Sequence, residues 1–122
     1  MIIGKVTTDL EVVIELVVIG LNRREKIEAV VDTGFSGYLA LPGDLINLLK
    51  LRQIDNQAVI LGDGTEVVLQ KYLLSVLWHG EEHNVSTLQT DGGPLVGMSL
   101  LYGSRVILDV INGGDVSINA MP

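Results

Sequence analysis

Two stretches of this chain carry side chains that can do chemistry. The first is Asp32-Thr33-Gly34, set at the end of an apolar run, Ala29-Val30-Val31, and followed after Phe35-Ser36-Gly37 by a second one, Tyr38-Leu39-Ala40-Leu41. A carboxylate can take or give a proton, but in a turn Asp and Thr also satisfy backbone donors while Gly makes the bend. The tripeptide alone fits both roles. The second stretch, His79-Gly80-Glu81-Glu82-His83, matches the H-x-x-E-H spacing of one class of zinc peptidase. That chemistry needs both rings on one face of a helix. Here Gly80 interrupts the segment and the flanks alternate with period two, so it reads as a polar hairpin turn, and no metal site is expected.

Other candidate signals are weaker. Gly62-Asp63-Gly64-Thr65-Glu66 lacks the spaced oxygen ligands of a calcium loop, and the glycines at Gly92-Gly93 and Gly97 are not followed by the Lys-Ser/Thr of a phosphate loop. Trp78 alternates with Leu77 and His79 on a strand pattern and is expected to be packed, as are Tyr72 and Tyr102.

The elements that must position these residues are mostly strands. From Leu10 to Ile19 one face reads Leu10, Val12, Ile14, Leu16, Val18 and the other is mixed with Glu11 and Glu15. Gly20 to Arg24 reads as a turn and Glu25 to Val31 as the returning strand of a hairpin. One convincing helix starts at Pro42 and Asp44, with Leu45, Leu48 and Leu49 at helical spacing. Two β-rich runs then flank Gly62-Asp63-Gly64, whose residues accept a tight hairpin turn. The remainder gives further strands, a turn at Asn112-Gly113-Gly114 and one more short helical turn near Met98-Ser99-Leu100-Leu101. The sum is a single, mostly β domain over residues 1–122, with about eight short strands and one or two short helices.

Composition narrows the partners. With 122 residues the chain can bury roughly two-thirds of its unfolded surface without staples. It has no cysteine, which removes disulfides and thiol chemistry and fits a reducing compartment. A formal net charge of -7 repels phosphate backbones and anionic surfaces, so neither nucleic acid nor membrane is expected as a partner. The longest apolar stretch carries Glu11 and Glu15 and falls short of the roughly 20 residues a bilayer needs. No secretory signal is visible at the start, and a cytoplasmic protein is expected.

The order strand, Asp-Thr-Gly, helix, Gly-tipped hairpin, strand, apolar-apolar-Gly and short helix resembles the retroviral-type (retropepsin-like) aspartic proteases. It is closer still to their small single-domain bacterial and archaeal relatives. The likeness runs from about Leu10 to Ile118 and rests on Ala29-Val30-Val31-Asp32-Thr33-Gly34 paired with Leu95-Val96-Gly97. It implies a closed antiparallel β-barrel with one or two short helices. It further implies an aspartic endopeptidase in which Asp32 is the catalytic carboxylate, Thr33 grips the partner's backbone and Gly34 keeps the backbone near substrate. Leu61 to Thr65, with Gly62, Asp63 and Gly64 at the tip, looks like the flap over a bound peptide. Phe35, Leu39 and Leu61 near the cleft favour apolar side chains beside the cut. Leu95, Val96 and Gly97 support the strand leading to Asp32.

Carboxylate-driven peptide hydrolysis uses one ionised and one protonated group, which two carboxylates about 3 Å apart supply by sharing a proton. This chain has one Asp-Thr-Gly, so the resemblance implies a homodimer with Asp32 buried against its copy, acting on a peptide or protein substrate and needing no cofactor. The terminal stretches Met1 to Val6 and Asp115 to Pro122 are the expected dimer strands. Three positions depart from the retroviral pattern: Phe35 replaces a small residue, Met98 a frequent Arg, and Ser99 a frequent Asp or Asn. A catalytically silent dimerisation or peptide-binding module on the same fold is the alternative reading.

Overall fold

The computed structural model describes Met1–Pro122 and contains ten strands and two short helices. In chain order they are β1 (Ile2–Val6), β2 (Val12–Gly20), β3 (Arg23–Val31), β4 (Leu39–Pro42), α1 (Gly43–Leu48), β5 (Arg52–Ile60), β6 (Glu66–Trp78), β7 (Glu81–Thr90), β8 (Leu95–Val96), α2 (Met98–Leu101), β9 (Ser104–Leu108) and β10 (Asp115–Ala120). No helix is long and apolar enough to cross a membrane.

Alternation accounts for β2, where Ile14, Leu16 and Val18 are buried and Glu15 is exposed. The strand begins at Val12 and not at Leu10. Leu10 instead closes a turn, donating its N–H to Thr7 O at φ 60°, and its side chain stays outside. In α1 Ile46 and the following Leu49 are buried and Leu45 packs against the core as expected, while Leu48 is exposed and Ile46 takes its place on the apolar stripe. Leu49 fastens this end of the helix to the hairpin between β2 and β3, where Leu21 N–H donates to Leu49 O at 3.0 Å.

Six strands close a barrel. In order β2, β3, β8, β4, β7 and β6 are paired neighbours, and β6 returns to β2 through Val18 opposite Val76 and Ile19 opposite Ser75. Most of these pairs are antiparallel as expected, but β3–β8 and β4–β7 are parallel. The exceptions arise because the chain leaves β3 at Asp32 and re-enters as β4 on the far side of β8. Side chains of Ile14, Leu16, Val18, Leu41, Val76 and Val96 fill the interior.

One strand, β6, serves two regions. Its second half buries Leu74, Val76 and Trp78 in the barrel, and its first half projects outward as an exposed hairpin arm paired with β5. On the other side of β2, three more strands continue the sheet in the order β1, β10, β9. The terminal strands therefore pair with each other inside one chain, Ile2 opposite Ile118 and Gly4 opposite Val116, with β2 and β9 on their outer flanks. This corrects the expectation that β1 and β10 offer open edges to a second copy. The edge left open on that side is β9.

Val76 sits fully buried at the seam that closes the barrel. Val76→Ala is expected to lower the unfolding free energy by about 2 kcal/mol, whereas Val68→Ala on the exposed arm of the same strand changes it by less than about 0.5 kcal/mol. Urea denaturation of the two variants measures the difference.

Candidate active site

β3 delivers Asp32 to the rim of the barrel. Val30 and Val31 run parallel to Leu95 and Val96, and Asp32 N–H donates to Val96 O at 2.9 Å. On its other edge β8 pairs with β4, Val96 opposite Leu39 and Leu95 opposite Ala40. A strand of two residues is thus held between the segments that enter and leave the Asp32 loop.

The same element ties down the loop itself. Gly97 N–H donates to Tyr38 O at 3.0 Å, Met98 N–H to Phe35 O at 2.8 Å and Ser99 N–H to Gly37 O at 3.1 Å. The Ser99 hydroxyl donates to Ser36 O. The sequence marks Ser99 only as standing where an Asp or Asn is frequent; its hydroxyl is a fastener of the loop, a role that no local signal marks.

Within the loop, Gly34 N–H donates to Asp32 Oδ1 at 2.9 Å, and Phe35 N–H to Asp32 O at 3.2 Å. The carboxylate is oriented through one oxygen and the other is left without a partner in the chain. Asp32 is half-buried and Thr33 and Gly34 are exposed, so a single chain does not bury this carboxylate as the apolar flanks suggest. The apolar packing ends at Val96 and the loop runs along the rim.

Phe35 is half-buried, and its ring fills the space that the missing side chains of Gly37 and Gly97 leave. A Cβ built on Gly97 would collide with Gly37 O and lie 2.6 Å from Phe35 Cδ2 and 2.8 Å from Phe35 O. The close approach of β8 to the loop requires glycine there. Leu39, expected near a cleft, is instead core at 1% exposure.

The hairpin between β5 and β6 has its tip at Leu61 to Thr65, every residue of it exposed. Leu61 N–H donates to Thr65 O at 2.8 Å, Gly64 N–H to Leu61 O at 2.9 Å with Gly64 at φ 85°, and Thr65 N–H to Asp63 Oδ1 at 2.9 Å. The backbone and hydroxyl of Thr65 hold the Asp63 carboxyl below its ordinary value. The turn is well formed, and Ile60 beside it is 74% exposed. In the lone chain nothing covers this hairpin, and no hydrogen bond joins it to the Asp32 loop.

The histidines do not share a helical face. His79 lies in the tight turn after β6 at φ 52°, and His83 is on β7 opposite Val76. Burial holds the His79 imidazole below its usual range, with the chain's N-terminal amine and His83 adding to the effect. Its Nε2 is 2.8 Å from Ser104 Oγ.

Beside the Asp32 loop lies an open, mainly apolar groove of about 920 Å³, lined by Thr33, Tyr38, Met98, Tyr102, Val106 and Leu108 among others. Tyr102, expected to be packed, is 90% exposed at its lip. It follows α2 directly, and the chain turns there into β9 with Gly103 at φ 82°.

No model of a known protein family matches the chain, and no curated protein sequence does. Its fold is similar to that in the crystal structure of a retropepsin-like aspartic protease from Rickettsia conorii, with a TM-score of 0.61 and 23% sequence identity. The match covers 98% of this chain and 90% of that one. The chain therefore has a retropepsin-like fold.

Gly97→Ala is expected to destabilise the protein by about 3 kcal/mol, because two backbone carbonyls stand where the methyl must go. Ser99→Ala removes one hydrogen bond and is expected to remove about 1 kcal/mol. Thermal or urea unfolding ranks the two, and a Gly97→Ala protein as stable as wild type contradicts the close approach described here.

Proposed function

We propose that this chain is an aspartic-type endopeptidase that works as a homodimer, Asp32 of each copy forming one half of the catalytic pair. The observation that supports this most is the setting of Asp32: a carboxylate oriented by Gly34 N–H, on a loop fastened by β8 and α2, at an open rim of the barrel. The likeness in fold to a retropepsin-like protease across nearly all of both chains points the same way.

Each residue then has a task that its position allows. Water held between two Asp32 carboxylates loses a proton to the ionised one as its oxygen attacks the scissile carbonyl, while the protonated one donates to the carbonyl oxygen. The two groups share one proton because like charges so close are not both accommodated, and the shared proton gives one carboxyl the base's role and the other the acid's. Thr33, exposed beside Asp32, is suited to hydrogen-bond the second copy's loop, and exposed Gly34 leaves room for substrate backbone. The Leu61–Thr65 hairpin closes over an extended peptide, pairing with its main chain and excluding water. Leu61, Gly62, Asp63, Gly64 and Phe35 are the proposed substrate contacts, and Leu95, Val96 and Gly97 hold the loop.

Asp32→Asn keeps the shape and removes the shared proton. It is expected to lower peptide cleavage by at least about a thousandfold across roughly pH 3 to 8 while leaving the oligomeric state unchanged. A mixed peptide library read by mass spectrometry, with light scattering on the same samples, measures both. Equal cleavage by the two proteins contradicts the proposal, and dimers that cut nothing favour a peptide-binding module.

A further inference from the structure

The ten-stranded sheet has two open edges, and they differ. β5 carries Arg52 and Asp55 and is irregular between Gln53 and Asp55, features that discourage edge-to-edge pairing. β9 has a regular register with β10 throughout and exposes Ile107 (51%) and Leu108 (39%). One charge, Arg105, interrupts it.

The hydrogen bonds fix which backbone groups of β9 are free. Asp109 N–H donates to Asp115 O and Met121 N–H to Gly103 O, both at the ends of the β9–β10 ladder. Odd-numbered residues therefore turn their backbone groups toward β10, and Ser104, Val106 and Leu108 turn theirs outward. The side chains of these same three residues line the groove beside Thr33. The free edge and the Asp32 loop thus border one continuous surface.

If a second copy pairs with this edge about a two-fold axis, even residues must face even residues, and the axes that keep most of β9 paired lie at 105, 106 or 107. An axis at Arg105 sets two guanidinium groups against each other. At Val106, Arg105 faces Ile107. At Ile107, Arg105 of each copy faces Asp109 of the other, and Val106 faces Leu108 over the groove. Neither Arg105 nor Asp109 takes part in any of the chain's four ion pairs. Asp109 lies across from Asp115, which pairs with Lys5, so the row Lys5, Asp115, Asp109 lacks a cation at its open end. Arg105 of a second copy completes it.

We propose that two copies of this chain join along β9, antiparallel, with the two-fold axis through Ile107 and Arg105 of each copy paired with Asp109 of the other. The choice of a second copy as occupant rests on the peptidase reading, which needs one. The two barrels then share a continuous sheet, and Ile107, Leu108 and the groove wall lose their contact with water.

The pairing has a signature no other arrangement shares. Arg105→Asp and Asp109→Arg each create two like-charge contacts per dimer and are expected to weaken self-association about tenfold or more. The double variant restores it. So does a one-to-one mixture of the two single variants, in which opposite charges meet at both contacts. Sedimentation equilibrium measures association, and circular dichroism is expected to be unchanged because both side chains are exposed. Single variants that associate as tightly as wild type, or a mixture that fails to associate, overturn the register. A monomeric wild type overturns the interface and leaves β9 to another partner. Peptide cleavage in the same samples separates the two claims: charge-dependent dimers that cut nothing retain the interface and discard the peptidase, and cleavage indifferent to the charges does the reverse.

Discussion

Everything at the candidate site depends on a two-residue strand held on both edges. Leu95 and Val96 lie parallel to β3 and antiparallel to β4, and Val96 O accepts the Asp32 N–H. So short a strand has no stability of its own. It persists because it is buried between two longer segments and because Gly97 lets the next residues bond to the loop's own carbonyls. The loop bearing Asp32 is then fixed at both ends and in its middle. A carboxylate on a loop becomes as well positioned as one on a strand, which general acid and base chemistry requires.

The remaining parts divide according to what they must do. The barrel half of β6 is buried and the outer half is bare, so one continuous strand joins a rigid wall to an exposed hairpin. That hairpin keeps its own turn through Asp63 and Gly64 but rests on nothing in a single chain. The Asp32 loop is likewise open on one side, next to an apolar groove and the unpaired edge of β9. The groove joins two of these features, since Thr33 of the Asp32 loop and Ser104, Val106 and Leu108 of β9 line it together.

Much of this was legible in the sequence because it is local. Asp32-Thr33-Gly34 after an apolar run, alternation in β2 and β3, and the Gly62-Asp63-Gly64 turn are read from neighbouring residues, and the order of elements carried the fold. What was not legible depends on partners distant in the chain. Nothing near Ile2 states that it pairs with Ile118, so terminal strands that look free are spent within one chain. Leu39 is buried because β4 is covered on both faces, and Tyr102 is exposed because it sits in the turn between α2 and β9; in both cases packing of distant segments decides the outcome. Leu10 and Leu48 were misplaced by hydrophobicity alone, where a turn at φ 60° and the docking of Leu49 decide the outcome.

The central claim is that one catalytic site is built from two Asp32 residues. Its most direct test mixes wild type with Asp32→Asn at constant total protein, allows the subunits to exchange and follows peptide cleavage against the wild-type fraction. A shared site predicts that activity falls as the square of that fraction, because every mixed dimer is dead. Activity that falls in simple proportion means each chain works alone, and the account is then wrong.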